Sequence, residues 1–217
     1  IGESGNILSK SAINGGGISV TNLAHAEISH STIVGNFASD AGGGIFVFGS
    51  SATLLSCKIG GNKAMTGGGL FAAISDEYGS SKLILKESIV TMNEAIEPLG
   101  GGSQRGPITG RYGSSMNNFL FSCGGGMTIY GKSFAEIYNS SISENAAKKG
   151  AGIQISQGGQ LLMENSTVKK NGCINCQVNM KAGSKGGGIN SADSGGLNID
   201  MNELIFNGGL NSFEGNI

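Results

Sequence analysis

Glycine triplets recur along the whole chain, and an asparagine follows each of them at a nearly constant distance. A near-triplet, Gly150-Ala151-Gly152, fills one interval, and the full triplets begin at Gly15, Gly42, Gly67, Gly100, Gly124 and Gly186. The asparagines that follow are Asn36, Asn62, Asn93, Asn118, Asn145, Asn171 and Asn207. Successive asparagines are 25 to 36 residues apart. A period of this length is typical of solenoids and other repeat architectures.

Apolar residues keep a fixed position relative to these two markers. An aliphatic residue follows the glycines, often with a second one two positions later, as in Ile45 and Val47. A second alternating pair stands ten and eight residues before the asparagine, as in Leu83 and Leu85, and one more aliphatic stands three before it. Alternation with a period of two is typical of strands with one buried face. The pattern therefore predicts three short strands per repeat.

The period and the alternation together predict an all-β fold, a right-handed parallel β-helix of about seven coils of roughly 26 residues. One coil cannot bury its apolar face alone, so neighbouring coils must stack at about 4.8 Å. The right hand follows from the strong bias of parallel crossover connections. A helical fold is disfavoured, because each glycine costs a helix about 1 kcal/mol. We expect residues 1–217 to form a single β-helix domain, a segment of a larger protein, because the chain begins and ends inside the repeat.

The composition excludes several other classes of protein. Forty glycines with only two prolines and no Gly-X-Y period exclude collagen. A formal net charge of −1, from 14 basic and 15 acidic residues, gives no electrostatic attraction to nucleic acid. No apolar run approaches the roughly 18 residues of a membrane helix. We therefore expect no nucleic-acid partner and no membrane span in this segment.

The repeated asparagines are best explained as a structural ladder. A turn asparagine tolerates a left-handed backbone, and its amide can bond both the backbone and the equivalent asparagine of the next coil. An unpaired buried amide costs about 1–3 kcal/mol, so the stack should keep every amide paired. We predict that all seven asparagines named above are scaffold and not catalytic.

The two markers resemble the repeat of the polymorphic outer membrane proteins, first noted in chlamydial surface proteins, which pairs GGA(I/L/V) with FxxN. Gly42-Gly43-Gly44-Ile45 and Ile59-Gly60-Gly61-Asn62 carry the two halves here. Glycine replaces the alanine and an aliphatic replaces the phenylalanine, and Phe213-Glu214-Gly215-Asn216 matches FxxN as written. The resemblance covers nearly the whole chain. It implies a parallel β-helix on a cell surface or in the secreted space.

Three segments depart from the repeat, at residues 73–82, 103–116 and 172–185, and departures of this kind mark insertions or grafted function. The second segment contains the only two arginines, Arg105 and Arg111, beside Tyr112. Arginine and tyrosine are favoured as interface anchors, so this loop is a candidate partner contact. The alternative is a solvated loop without a partner.

The four cysteines do not share one repeat position. Cys173 and Cys176 form a Cys-x-x-Cys, compatible with a local disulfide, a redox pair or half of a metal site. Zinc needs four ligands and no second cluster accompanies the pair, so we expect no metal and keep the local disulfide as the candidate. Cys57 and Cys123 lie two predicted coils apart, beyond disulfide reach, and should be free, half-buried thiols.

Two N-x-S/T sequons begin at Asn139 and Asn165, each six residues before a ladder asparagine. In a eukaryotic secretory protein these residues are candidate glycosylation sites on one face of the rod. In a bacterial protein the sequons carry no such meaning.

The sequence favours a secreted or cell-surface structural or adhesive module over an enzyme. We expect protein partners or self-association through the coil ends and insertion loops, with surface glycans as further candidate partners and no cofactor. The alternative is a carbohydrate-binding or polysaccharide-degrading β-helix protein, which needs clustered acids on one face. Glu27 and Glu136 should point outward, but two coils or more separate them from any paired acid at the same position. Ice binding would need regular threonine ranks, which the repeat lacks.

Overall fold

The computed structural model describes residues 6–8, 11–96, 123–172, 188–191, 203–206 and 212–214. These residues form short strands and no helix, and the strands pair in parallel from one coil to the next. The coils stack into four sheets, which confirms the predicted all-β parallel β-helix.

Sheets A and B flank the ladder asparagines. Sheet A precedes the asparagine in each coil and contains, in stacking order, β1 (Asn6–Leu8), β5 (Thr32–Val34), β9 (Lys58–Gly60), β13 (Ile89–Thr91), β17 (Ser141–Ser143), β20 (Thr167–Lys169) and β23 (Ser212–Glu214). Sheet B follows the asparagine and contains β2 (Ser11–Asn14), β6 (Phe37–Ala41), β10 (Lys63–Ala64) and β14 (Glu94–Ala95).

Sheets C and D follow the glycine triplets. Sheet C contains β3 (Ile18–Thr21), β7 (Ile45–Phe48), β11 (Leu70–Ala73), β15 (Met127–Tyr130), β18 (Ile153–Ser156) and β21 (Ile189–Ser191). Sheet D contains β4 (His25–Ser29), β8 (Ser51–Leu55), β12 (Lys82–Lys86), β16 (Phe134–Tyr138), β19 (Gln160–Glu164) and β22 (Glu203–Phe206).

The three strands predicted for each coil correspond to sheets C, D and A, and sheet B supplies a fourth that the prediction missed. The strands of sheet B are short, and β10 and β14 have two residues each. Their inward residues are small, for example Ala38, Ala64 and Ala95, all fully buried. A strand this short with alanine as its apolar residue leaves almost no periodic signal in a sequence.

The interior of the rod is built from columns of aliphatic side chains. Ile45, Leu70 and Met127 occupy equivalent positions in sheet C and are each 0% exposed. Corresponding columns run through sheets D and A, so each coil covers the apolar surface of its neighbour. Burial of this kind contributes roughly 25 cal/mol per Å² of apolar surface, and it is available only to stacked coils.

Each position of the triplet requires glycine for a separate steric reason, as residues 67–69 show. Gly67 has a φ of +57°, a conformation that side chains disfavour. A Cβ on Gly68 would lie 2.4 Å from the Glu94 carbonyl oxygen, where the sheet B strand passes behind the triplet. A Cβ on Gly69 would lie 2.9 Å from Cγ of Asn93, the ladder asparagine of the same coil. The triplet and the asparagine therefore recur together because they are in contact.

Five asparagines form the predicted ladder and are all buried, namely Asn36, Asn62, Asn93, Asn145 and Asn171. The backbone N–H and side-chain Nδ2 of Asn62 both donate to Oδ1 of Asn93, each at 3.0 Å. Nδ2 of Asn62 also donates to the carbonyl of Ile33 in the preceding coil, at 2.9 Å. The same bonds repeat at each step, so one amide ties together three consecutive coils.

The order of the coils differs from the prediction at one place. Both Asn93 donors reach Oδ1 of Asn145, at 3.0 Å. The N–H of Gly68 likewise donates to the carbonyl of Gly124, at 3.0 Å. A separate coil carrying Asn118 between these two coils is therefore wrong, because their strands are direct neighbours. Asn118 itself lies outside the described residues.

The last coil is also assigned differently. The repeat predicts Leu204, three residues before Asn207, in a strand of sheet A, but Leu204 pairs with Leu161 in sheet D. Phe213 pairs with Val168 in sheet A, three positions before Asn216, the FxxN asparagine. Asn207 lies outside the described residues. Five coils can be followed through the stack, fewer than the seven predicted, with β1 before them and β21 to β23 after them.

Replacing Asn93 by alanine should lower the free energy of unfolding by more than about 2 kcal/mol. The substitution leaves the buried N–H and Nδ2 of Asn62 without their acceptor, and each unsatisfied group costs about 1–3 kcal/mol. Urea denaturation followed by circular dichroism measures the change. Asn139→Gly is the matched control, because it removes an exposed amide and keeps the positive φ. Equal losses in the two variants would contradict a ladder role.

Candidate functional site

The outward faces of the sheets differ sharply in exposure. From β7 onward, the outward residues of sheet C are buried, including Phe46, Phe71 and Gln154. Phe46 and Phe71 stack with ring centroids 5.6 Å apart. This face is therefore part of the protein interior and is not accessible to a partner.

Sheet A exposes Lys58 and Ile89, and most of its other outward residues are small, whereas sheet D presents large outward side chains in every coil. The outward residues of sheet D form three columns along the rod, each with one residue per coil. The first column is His25, Ser51, Lys82, Phe134 and Gln160. The middle column is Glu27, Thr53, Ile84, Glu136 and Leu162. The third column is Ser29, Leu55, Lys86, Tyr138 and Glu164.

A connected cluster of two lysines, two rings and a carboxylate occupies the centre of this face. Nζ of Lys82 lies 2.7 Å from Oε1 of Glu136 and 5.7 Å from the centroid of the Phe134 ring. Nζ of Lys86 lies 6.0 Å from the centroid of the Tyr138 ring. The Tyr138 hydroxyl donates to Oε2 of Glu136 at 3.4 Å. We call these five residues the sheet D cluster.

Tyr138 remains a hydrogen-bond donor over a wide pH range. Desolvation, and after it the negative charges of Glu136 and Glu164, raise the pKa of its hydroxyl above the usual value of 10.0. The nearby charge of Lys82 acts in the opposite direction. Since an unperturbed phenol is already protonated at neutral pH, the cluster presents a phenol and not a phenolate.

The first two coils bring together a histidine, a serine and a glutamate on the same face. Nδ1 of His25 lies 2.7 Å from Oγ of Ser51, and its Nε2 lies 3.4 Å from Oε1 of Glu27. This is the order of a nucleophile, a base and an orienting acid. The Ser51 N–H already donates to Ala24, so it is not available to stabilise an oxyanion. With 82% of the Glu27 side chain exposed, the contact between His25 and Glu27 is also weakened by solvent.

Two carboxylates further along the face have a spacing relevant to sugar chemistry. Glu27 and Glu136 point outward, as predicted, and are three coils apart. Glu136 and Glu164 lie on paired strands two positions out of register. Strand geometry puts their backbones about 8 Å apart. A backbone separation of this size is compatible with the roughly 6.5–9.5 Å between the carboxyl groups of inverting glycosidases, whereas Glu27 is three coils from Glu136.

The two sequon asparagines lie side by side at one exposed corner of the rod. Asn139 and Asn165 have φ of +47° and +48°, and both side chains are exposed. The same corner in earlier coils also has positive φ, at His30, Ser56 and Glu87. Asparagine tolerates this backbone well, which explains its presence without a glycan. Glycosylation at these two residues stays a prediction.

A column of serines next to this corner escaped the sequence analysis. Ser88, Ser140 and Ser166 stand five residues before their ladder asparagines, and the N–H of Ser88 donates to Oγ of Ser140 at 3.0 Å. Cys57 occupies the same position, where its N–H donates to Oγ of Ser88 and its thiol to the Ile28 carbonyl. The constant distance of five residues to the ladder asparagine could have identified this column from the sequence.

Cys57 and Cys123 are free thiols, as expected, but they are buried, at 3% and 1% exposed, and not half-buried. Desolvation raises the pKa of Cys57, against backbone hydrogen bonds that lower it. Desolvation also raises the pKa of Cys123 to about 11, opposed in part by the charge of Lys149. Both groups are protonated at neutral pH, which makes them poor nucleophiles and poor metal ligands.

The remaining predicted site residues lie outside the described residues. They are Arg105, Arg111, Tyr112, Cys173 and Cys176. Within the described ranges, no group of three or more His, Cys, Asp and Glu side chains is placed to hold a metal ion. The same part of the chain contains no helix long and apolar enough to cross a membrane.

No protein-family model, curated protein or solved structure matches the chain. The resemblance to the polymorphic outer membrane protein repeat therefore rests on the glycine and asparagine motifs alone.

The buried thiols should resist alkylation while the protein is folded. At pH 8 the peptides containing Cys57 and Cys123 should remain unlabelled by iodoacetamide, and both should be labelled in urea, as peptide mass spectrometry can measure. The folded pKa of Cys123 exceeds its usual value of 9.0. Its contribution to stability is therefore complete below pH 9 and is lost as the pH rises through about 11. Rapid labelling of folded protein at pH 8 would contradict the burial.

Proposed function

We propose that this protein is an extracellular or cell-surface structural or adhesive module that contacts its partner through the outward face of sheet D. The sheet D cluster carries the proposal. It combines two rings, two cations and a carboxylate on strands, exposed in part, while the outward face of sheet C is buried.

The rod gives this face the rigidity that recognition requires. Side chains on strands are positioned more accurately than side chains on loops, and less entropy is lost when they bind. Each strand of the face is bonded to both neighbours from β8 to β19. The asparagine ladder holds the same coils in register from inside. A passive module needs this stiffness and no reaction chemistry.

Two further features support display on a surface. The motif resemblance implies a cell-surface or secreted location, and Asn139 and Asn165 are exposed where glycans would have room. Among the described strands, β3 and β4 are the outermost members of sheets C and D at one end of the stack, and β21 and β22 at the other. Unpaired strand edges attract another strand, so the coil end is a second place for protein partners or self-association.

Charge reversal on sheet D tests the adhesive function. Lys82→Glu with Lys86→Glu should reduce retention of the fluorescently labelled chain on intact cells at least ten-fold, because it breaks the Lys82–Glu136 pair and both ring contacts. A panel of bacterial, fungal and animal cells, washed and read by flow cytometry, provides the measurement.

Lys58→Glu with Lys169→Glu is the matched control, since these two lysines project from sheet A. Unchanged melting temperatures would show that both variants fold. Equal retention of the two variants, or no retention of the unmodified chain on any cell type, would refute the proposal. Immunodetection of the natural protein only inside the cells that make it would refute the location.

Polysaccharide degradation is the second candidate, favoured by the spacing of Glu136 and Glu164 on paired strands. If it is correct, the protein should release new reducing ends from a soluble polysaccharide, and Glu136→Gln or Glu164→Gln should each lower the rate at least 100-fold. Glu27→Gln, on the same face, should leave the rate unchanged. No release from any substrate would leave the adhesive function as the better account.

A further inference from the structure

We propose that the outward face of sheet D binds an uncharged glycan chain that lies along the axis of the rod. The inference rests on the proposed function, because it names the partner of the same face. Four observations support it: the shape of the face, its size, its charge, and the hydrogen bonds that its backbone already makes between neighbouring strands.

In the coils of β12, β16 and β19, long outward side chains flank a middle column that includes the shorter Ile84 and Leu162, with Glu136 between them. The flanking side chains are Lys82, Phe134 and Gln160 on one side and Lys86, Tyr138 and Glu164 on the other. We call these three strands, with their flanking columns, the trough. A linear ligand is therefore guided along the stack and not across it.

The size of the trough suits a chain better than a protein. From β12 to β19 the trough is about 10 Å long, and its flanking columns are about 13 Å apart, so it covers roughly 130–250 Å² with its margins. A standard protein interface buries about 800 Å² on each partner. Coils repeat every 4.8 Å or so, so a polymer whose repeating unit has a similar length would meet one coil per unit. About two or three such units would span the trough.

The charge of the face is nearly balanced. Lys82 and Lys86 oppose Glu27, Glu136 and Glu164, and the central pair is neutralised at 2.7 Å. A polyanion such as nucleic acid would meet three carboxylates, and a polycation would meet two ammonium groups. An uncharged ligand pays neither penalty, because its hydroxyls accept from the lysines and the Tyr138 hydroxyl and donate to the carboxylates.

The backbone of sheet D leaves nothing for a peptide strand to pair with on this face. Between β8 and β19, the strands bond to a neighbour on either side, so main-chain groups point along the sheet and not out of it. A peptide that binds by strand addition needs an open edge. The face offers only side chains, with Phe134 and Tyr138 supplying apolar surface for the CH groups of a sugar ring.

Isothermal titration calorimetry of the full chain with soluble probes tests the inference. The uncharged probes are mixed-linkage β-glucan, dextran and yeast mannan, and the charged controls are polygalacturonate and heparin. At least one uncharged probe should bind, with affinity at least ten-fold above that for either charged polymer. Phe134→Ala with Tyr138→Ala should reduce that affinity at least 30-fold.

Glu136→Gln keeps the shape of the natural side chain but replaces one of the two acceptor oxygens of the carboxylate with an NH₂ donor. It should therefore still reduce affinity at least five-fold. Phe37→Ala is the control, since Phe37 is 39% exposed on sheet B. Binding to none of the uncharged probes, or equal loss in the Phe37 variant, would overturn the inference. If cell retention still responds to the lysine reversals, only the glycan is wrong; if it does not, the adhesive function fails as well.

Discussion

Buried polar groups at the corners of the coils are the constraint on which this structure depends. The interior of the rod excludes water, so each corner amide must find its partners in the neighbouring coils. Asn93 meets this requirement with donors to Ile59 and Asn145 and an acceptor for Asn62. A shift of one residue between coils would break these bonds and turn the aliphatic columns outward.

Fixed register has a direct effect on the surface. Because every coil repeats the same backbone, any outward position becomes a column, and neighbouring side chains in that column meet whatever their distance in sequence. Lys82 and Glu136 are 54 residues apart and form an ion pair at 2.7 Å. Only 48% and 16% of these side chains are exposed, so solvent weakens the pair less than a fully exposed one. The face can therefore differ from coil to coil while the scaffold stays constant.

Much of the scaffold could be predicted from the sequence, because its determinants repeat. The aliphatic pairs, such as Leu83 and Leu85, and five ladder asparagines lie where the pattern puts them. The predicted number of coils was wrong because one glycine triplet and its asparagine match the motif without forming a separate coil between the neighbouring ones. Gly100 and Asn118 match the pattern by type and spacing, but stacking is decided by which coils bond, and Asn93 bonds to Asn145.

The candidate site was much harder to predict. Phe134, Glu136 and Tyr138 read only as the polar and aromatic half of an alternating strand. They form a candidate site only because Lys82 pairs with Phe134 and Lys86 with Tyr138 in the neighbouring strand. That register depends on the length of chain between β12 and β16. Burial of the outward face of sheet C was equally invisible, since Phe46 and Phe71 alternate like exposed strand residues. A periodic pattern indicates which residues point inward; it does not say what covers those that point outward.

The direct stacking of the Gly67 coil on the Gly124 coil has a wider consequence for this kind of chain. The two coils bond as closely as any other pair, although the connection between them includes the 26 residues 97–122. The entropy of closing such a connection rises only slowly, by about 0.6 kcal/mol for each doubling of its length. Corner segments can thus lengthen, shorten or be exchanged during evolution with little effect on stability. Insertions between coils can therefore accumulate while the stacking order of the coils stays the same.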